Sequence, residues 1–240
     1  MKKPKPNLWS GDVCISEGIM AFIGHAGDNS PHSHATLQLA ISHTEPLLLK
    51  DSSGRVHRSK ELYVRPGIKH ALLSSSKVTL ILIEPQSSIA RHILSLCPTN
   101  PIGDVPAEII TNLNINNKAV EIVSTLKKLV VTKQADVDPR LSQALLYLRH
   151  APLKNAIRNA AEICQLSESR LRAIATQNLE IPLSKWVLWC AIARASKAIA
   201  EGESLAEAAV TGGFSDQAHY TRTLHKLMGI TPGKTTHLLK

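Results

Sequence analysis

The chain has 240 residues, enough for one or two domains with adequate cores, and its formal charge of +9 with a pI near 9.5 favours a polyanionic partner. Aromatic residues are only 3% of the sequence, which argues against a stacking platform for single-stranded nucleic acid. The four cysteines, Cys14, Cys97, Cys164 and Cys190, form no CxxC and no close Cys/His pairing, as expected of thiols in a reducing compartment.

The basic N-terminus, MKKPKPNLW, is followed by no apolar core of signal-peptide length. The longest apolar run, Val78–Ile83, is too short to span a bilayer, so a cytoplasmic protein without a membrane partner is expected. The positive charge is divided almost evenly between residues 1–135 and 136–240, so charge alone does not single out a binding half.

Residues 1 to about 95 read as strands. Short apolar runs at Ile19–Ile23, Leu37–Ile41, Pro46–Leu49 and Val78–Ile83 alternate with turn clusters such as HAGDNSPHS, KDSSGR and RPGIKH. Strands at this spacing predict a small barrel or sandwich. Pro98–Pro106, PTNPIGDVP, reads as a linker-like crossing. The stretch 116–132 predicts one helix with Val120, Val123, Leu126, Leu129 and Val130 on its apolar side, to be buried against the barrel or against a second copy. The polar segment Lys133–Pro139 places a domain boundary near residue 135.

Within the first half, His32, His34 and Gln38 share parity, so on one strand they project to the same face, and His70 follows the proline-glycine turn RPGIKH. The pattern HxHxxxQ followed by PGxxH resembles the two cupin motifs. That resemblance implies a β-barrel whose histidines, with a glutamate here replaced by Gln38, can hold a divalent metal. An amide oxygen is a poorer, neutral ligand, but three imidazoles suit zinc, nickel, copper or iron. Sensor barrels of this kind also occur without metal, so none is required. His25, His43 and His57 fit the pattern less well.

Beyond residue 136 only helical periodicity is found. Pro139–His150 turns Leu141, Leu145 and Leu148 inward, and Asn155–Cys164 presents Ile157, Ala160, Ala161 and Ile163. Ser167 caps a next helix with Leu171, Ile174 and Ala175 on its buried face, and a long helix, roughly Leu183–Glu201, follows Pro182. Ser204 caps a short helix carrying Leu205, Ala208 and Ala209. Gly212-Gly213 breaks it in a tight turn, Phe214 supplies a core plug, and Ser215-Asp216 caps a helix with Tyr220, Leu224 and Leu227 inside. Two helix-turn-helix units on a rigid strut can enter successive major-groove faces about 34 Å apart. The exposed face of the last helix carries Gln217, Ala218, Thr221, Arg222 and His225, without a carboxylate.

Residues from about Asp138 to Pro232 resemble the AraC/XylS family of bacterial transcription regulators, most closely in GFSDQAHYTRTLHKLMGITP. The resemblance implies an α+β protein: a cupin-like N-terminal barrel for sensing and dimerisation, residues 1–135, then an all-α DNA-binding domain, residues 136–240, with two helix-turn-helix motifs joined by a linker helix. Its base-reading positions map onto Gln217, Ala218 and Arg222 in the second motif and onto Ser169, Arg172 and Ala173 in the first. Thr176, Thr221 and His225 are expected at phosphates, which position without specifying. The first motif departs from the family pattern: Ala173 stands where arginine is usual, and Glu180 where glycine is. Trp189 and Cys190 interrupt a linker helix that is commonly more polar. The first motif is thus expected to read bases loosely.

The leading expectation is a sequence-specific regulator of double-stranded DNA, dimeric and not an enzyme, that answers a small molecule or metal in its barrel, with RNA polymerase as a further candidate partner. The rivals are a metal-dependent cupin enzyme with a helical extension and an architectural nucleic-acid binder without a ligand.

Overall fold

The computed structural model describes residues 9–73, 75–113, 118–128, 137–235 and 238–239. Its strands are β1 (Ser10–Ser16), β2 (Ile19–Ala26), β3 (Leu37–Ser42), β4 (Leu47–Asp51), β5 (Val56–Ser59), β6 (Glu61–Val64), β7 (His70–Leu72), β8 (Ser75–Ile83) and β9 (Ile102–Asp104). They form an antiparallel six-stranded sheet, ordered β1-β2-β8-β3-β6-β9, and a three-stranded sheet, ordered β5-β4-β7.

The large sheet is buried on both faces, which is why its central strands read as continuous apolar runs. Alternate residues divide between two cores, as the two-residue period of a strand requires. Leu37, Leu39 and Ile41 of β3, with Ile81 and Ile83 of β8, meet helices α1 (Ser88–Leu96), α2 (Ala107–Asn112) and α3 (Ala119–Lys128). Ala40, Leu62, Val64 and Leu80 point the other way, toward Leu47, Leu49 and Leu72 of the small sheet and toward the C-terminal helices.

Several sequence expectations are corrected here. Residues 88–96 are helical, with the Ser87 side chain capping the first turn by accepting from the Ala90 amide. The linker-like crossing holds β9, which pairs with β6 through Leu62, Tyr63 and Val64 and so completes one edge of the sheet. Of the helix expected at 116–132, the described part is α3. It buries Ala119, Ile122, Val123 and Leu126 against the sheet, while Val120 is 56% exposed. The true stripe thus runs through Ile122 rather than Val120, and it covers β1 and β2 within the same chain. Leu129, Val130 and the boundary near residue 135 lie outside the described residues.

The second half is built from α4 (Pro139–Leu148), α5 (Ala156–Ile163), α6 (Glu168–Leu179), α7 (Leu183–Ala200), α8 (Leu205–Thr211), α9 (Gln217–Met228) and α10 (Pro232–Thr235). Three of the four motif helices start at a side-chain cap, Ser167 for α6, Ser204 for α8 and Asp216 for α9, while Asn155 at the start of α5 makes no such bond. Ser204 forms a full capping box with Glu207. The strut α7 is apolar nearly all round because it is central to both motifs. Trp186, Val187, Trp189 and Cys190 pack among α4, α5 and α6, while Ala191, Ile192, Ala195 and Ile199 pack among α8 and α9. Trp186 is fully buried, and truncating such a side chain costs about 3–5 kcal/mol.

Two turn details differ from expectation. Only Gly213, at φ +90, uses the left-handed conformation. Gly212 is right-handed, and its hydrogen matters for a different reason: a Cβ there would lie 2.8 Å from the Ala191 carbonyl oxygen, so glycine lets the turn seat directly on α7. On α5, Ile163 is 44% exposed and Ala156 takes its expected inward place.

The halves share cores rather than merely touching. Tyr220, Leu224 and Leu227 of α9 belong to the same apolar cluster as Trp9 and Phe22 of the sheets. Polar contacts fix the joint: the Trp186 indole donates to Gln86 Oε1 at 3.2 Å, and Lys185 Nζ donates to Ser33 Oγ at 2.8 Å. Among the described residues no helix is long and apolar enough to cross a membrane.

Candidate nucleic-acid interface and interdomain site

The N-terminus of α9 is locked by the Asp216 carboxylate, which accepts from the His219 amide. This bond, the Ser215 hydroxyl and the nearby Arg222 charge hold the Asp216 carboxyl below its ordinary range. Downstream of the cap, Gln217, Ala218 and Arg222 are exposed together and Thr221 is half-buried beside them. Their backs, Tyr220, Leu224 and Leu227, are buried, so this polar face is rigidly presented. His225 lies further along the helix and meets the other half of the chain, its Nε2 standing 3.3 Å from Ser30 Oγ.

On α6, Ser169, Arg172, Ala173 and Thr176 are all exposed. Arg172 is already engaged: its guanidinium lies 3.2 Å from the Glu168 carboxylate one turn earlier, and the Thr176 hydroxyl donates to its carbonyl. An exposed pair of this kind is worth about 0.3–0.5 kcal/mol, so Arg172 can leave it for a phosphate at little cost. The left-handed cap expected to want glycine is present at Glu180, φ 58, whose carboxylate reaches Arg65 of the sheets at 3.5 Å.

His32, His34 and His70 come together and are all buried, with ligand-capable nitrogens within 4.8 Å of one another. The route differs from the single-strand expectation. β3 begins only at Leu37, and His32 pairs instead with His70 of β7 by two backbone bonds of 2.9 Å, which joins the two sheets. Gln38 is nevertheless in place, its amide oxygen 3.0 Å from His34 Nε2. Burial lowers the basicity of all three rings, to about 3 for His34 and about 4 for His70, so they are neutral near pH 7. His25, His43 and His57 stand elsewhere; His43 bonds Thr79 and His57 bonds Asp51.

Between the large sheet and the C-terminal helices lies a cavity of about 380 Å³, a volume typical of small-molecule sites. The sheets contribute Trp9, Phe22, Leu80 and Leu82, and the helices Trp189, Ile192, Leu224 and Met228. Arg149, Arg194 and Lys197 bring positive charge to its wall, partly offset by Glu17 and Glu84. His32 and Gln38 line its edge, so the histidine cluster and the cavity adjoin.

Residues 160–237 match a family model described as a helix-turn-helix domain, spanning α5 to α10 and both motif turns. The chain thus carries a helix-turn-helix domain over residues 160–237. Solved structures similar to the whole chain include ToxT from Vibrio cholerae O395, at 11% identity and a TM-score of 0.57, covering 94% of this chain and 99% of that one. Another is a structure of ToxT from V. cholerae strain SCE256, described as bound to an unsaturated fatty acid, at 9% identity and a TM-score of 0.59, covering 95% and 98%. At such identities the likeness concerns the fold: a sheet-built N-terminal half followed by a helical half that holds the helix-turn-helix domain. The comparison with curated proteins gives no match.

Sequence reasoning missed the cavity, because its walls come from segments far apart in the chain. One signal was present. Trp189 and Cys190, which depart from the polar pattern expected of an AraC-type linker helix, both line it.

Proposed function

We propose that this chain is a sequence-specific DNA-binding transcription regulator whose AraC-type domain is governed by an apolar small molecule held between the two halves. One observation carries the reading. Leu224 and Met228 of α9 form part of the cavity wall, while Gln217, Ala218 and Arg222 of the same helix face solvent. A ligand that swells or fills the cavity therefore acts on the far side of the DNA-reading helix, and differential affinity for two helix positions is what regulation requires.

Arg222 is assigned the leading base contact, since a guanidinium bonds a guanine edge bidentately. Gln217 and Ala218 flank it, and Ser169, Arg172 and Ala173 form the surface of the first motif, which reads bases loosely, with Arg172 mainly at a phosphate. Thr176, Thr221 and His225 are assigned to phosphates; His225 can serve there only after leaving Ser30. The mostly apolar cavity suits an apolar body, and Lys197 at its wall, held only by an exposed pair with Glu201, can turn to an acid group, whereas Arg149 is engaged by Glu84 and Glu17 and Arg194 by backbone carbonyls. ToxT has been described with an unsaturated fatty acid and with a naphthalenyl-butenoic acid, ligands of that kind. A homodimer would need a face other than the covered stripe of α3.

The test is to select and sequence genomic fragments bound by the full-length protein and by Arg222→Ala at near-physiological salt. A two-part motif relaxed in the variant supports the reading. Recovery of fragments without sequence preference would instead indicate an architectural binder.

A further inference from the structure

We infer that a first-row divalent metal at His32, His34 and His70, the site the cupin resemblance implies, sets how firmly the sheets grip the C-terminal end of α9.

In each ring Nδ1 lies 3.0 Å from a backbone carbonyl oxygen: Ser30 for His32, Thr36 for His34 and Ile68 for His70. A carbonyl only accepts, so Nδ1 of His32 and of His70 carries the hydrogen, and in a neutral ring their Nε2 is then left with a bare lone pair; His34 Nδ1 also lies 3.0 Å from the Thr36 hydroxyl, so its tautomer depends on what meets its Nε2. Metal-ligating histidines are held in this way, with the second nitrogen anchored to a carbonyl that fixes both tautomer and ring direction. The rings converge, with centroids 4.4 Å apart for His32 and His70 and 5.1 Å for His34 and His70.

The lone pairs are poorly served by the protein itself. His70 Nε2 is fully buried and has no hydrogen-bond partner, a costly arrangement for a polar atom. His34 Nε2 faces the Gln38 amide oxygen at 3.0 Å; with the hydrogen on Nε2 it donates to that oxygen, and with the hydrogen on Nδ1 its lone pair joins that of His70 as a ligand. No anionic side chain belongs to the cluster, so three neutral imidazoles with one amide oxygen suit zinc, cobalt or nickel better than calcium or magnesium.

The place of the cluster in the fold supplies the second part. The Ser30 amide donates to the Gly229 carbonyl at 2.9 Å, and Gly229 is the left-handed C-cap of α9. The His32 ring lies against the same glycine: a Cβ on Gly229 would stand 2.8 Å from His32 Nδ1 and 2.2 Å from the Ser30 oxygen. His225 reaches Ser30 Oγ from the last turn of α9, and Lys185 of α7 bonds Ser33 on the other side of His32. The segment 30–33 therefore carries a metal ligand and also ties both the reading helix and its strut to the sheets. An ion bonded to each nitrogen at about 2.0–2.1 Å draws the three together, and with them the segment that holds Gly229.

The metal site stands independently of the DNA reading; only the consequence for α9 depends on it. The experiment uses chelator-stripped full-length protein titrated with Zn²⁺ by calorimetry and with Co²⁺ by visible absorption. Hydrogen exchange is then followed at Ser30 and along α9, with and without Zn²⁺. Expected are one ion per chain, ligand-field bands of a nitrogen-rich site, and slower exchange at Ser30 when Zn²⁺ is bound. His70→Ala should weaken binding by about 100-fold or more, while Gln38→Glu, which restores a carboxylate and keeps all three rings, should tighten it by about tenfold. Circular dichroism of both variants checks that they are folded. Absence of saturable Zn²⁺ and Co²⁺ binding, or binding unchanged in both variants, would overturn the site. Specific binding with unchanged exchange at Ser30 and α9 would overturn the coupling.

Discussion

Arg149 and Glu84 join the two halves through a two-pronged ion pair, with guanidinium-to-carboxylate distances of 3.0 and 2.6 Å. Glu84 follows the last residue of β8 and is almost wholly buried; Arg149 is the C-cap of α4, lies over the Trp186 ring and also meets Glu17 at 3.2 Å. Removing one partner of a buried pair costs about 3–5 kcal/mol, chiefly because the other charge is stranded. Here Arg149 keeps Glu17 and some solvent, so Glu84→Ala is expected to lower stability by about 2–4 kcal/mol. Denaturant unfolding checks this. If Glu84→Ala/Arg149→Met recovers most of the loss, the penalty is the orphaned charge and not the cavity left by the glutamate.

Much of the C-terminal half was legible in the sequence because its signals are local. The caps Ser167, Ser204 and Asp216, the stripe Tyr220–Leu224–Leu227 and the stop at Gly229 each depend on neighbours within a turn or two. The joint was not legible. Glu84 and Arg149 are 65 residues apart, and neither carries a pattern that names its partner. The histidine cluster lies between these cases: strand parity groups His32, His34 and Gln38 in the sequence, whereas the fold gathers the histidines through the bridge from His32 to His70. α1 and β9 escape the sequence because a buried amphipathic nonamer and a three-residue edge strand are too short for periodicity to decide.

The glycine pair at residues 212 and 213 offers a sharp contrast between two reasons for having no side chain. At Gly213 the need is conformational, and asparagine tolerates the left-handed region, so Gly213→Asn should cost about 1 kcal/mol or less. At Gly212 the need is space, since any Cβ meets the Ala191 carbonyl and the Ala195 methyl below 3.0 Å. Gly212→Ala should therefore cost about 1–3 kcal/mol, the range for overpacking. Thermal unfolding of the two variants tests the order; equal losses would mean that the turn does not seat on α7 as described.

The two recognition surfaces should respond differently to loss of arginine. Arg222 stands exposed on a rigid helix face, so Arg222→Ala should lose about 1–3 kcal/mol on the selected operator and little on scrambled DNA. Arg172 stands beside Ala173 and shares its charge with Glu168, so Arg172→Ala should weaken both DNAs alike and reduce the salt slope by about 0.9 for one lost phosphate contact. Anisotropy titrations at two salt concentrations distinguish these outcomes.

The cavity yields the most direct test of control by a small molecule. If an apolar acid occupies it, a monounsaturated long-chain fatty acid should raise the unfolding temperature, and ligand at one hundred times its Kd stabilises by about 2.7 kcal/mol. Ala193 of α7 lines the cavity and is half-buried, so a larger side chain there can enter the space without displacing core atoms. Ala193→Trp is expected to remove the ligand-dependent shift while leaving the protein folded. It should also fix operator affinity at one value with or without the acid, because the indole takes the ligand's place behind Leu224 and Met228. A variant that still answers the acid would move the effector site elsewhere. A variant that ignores the acid but keeps a regulated affinity would place control with another ligand.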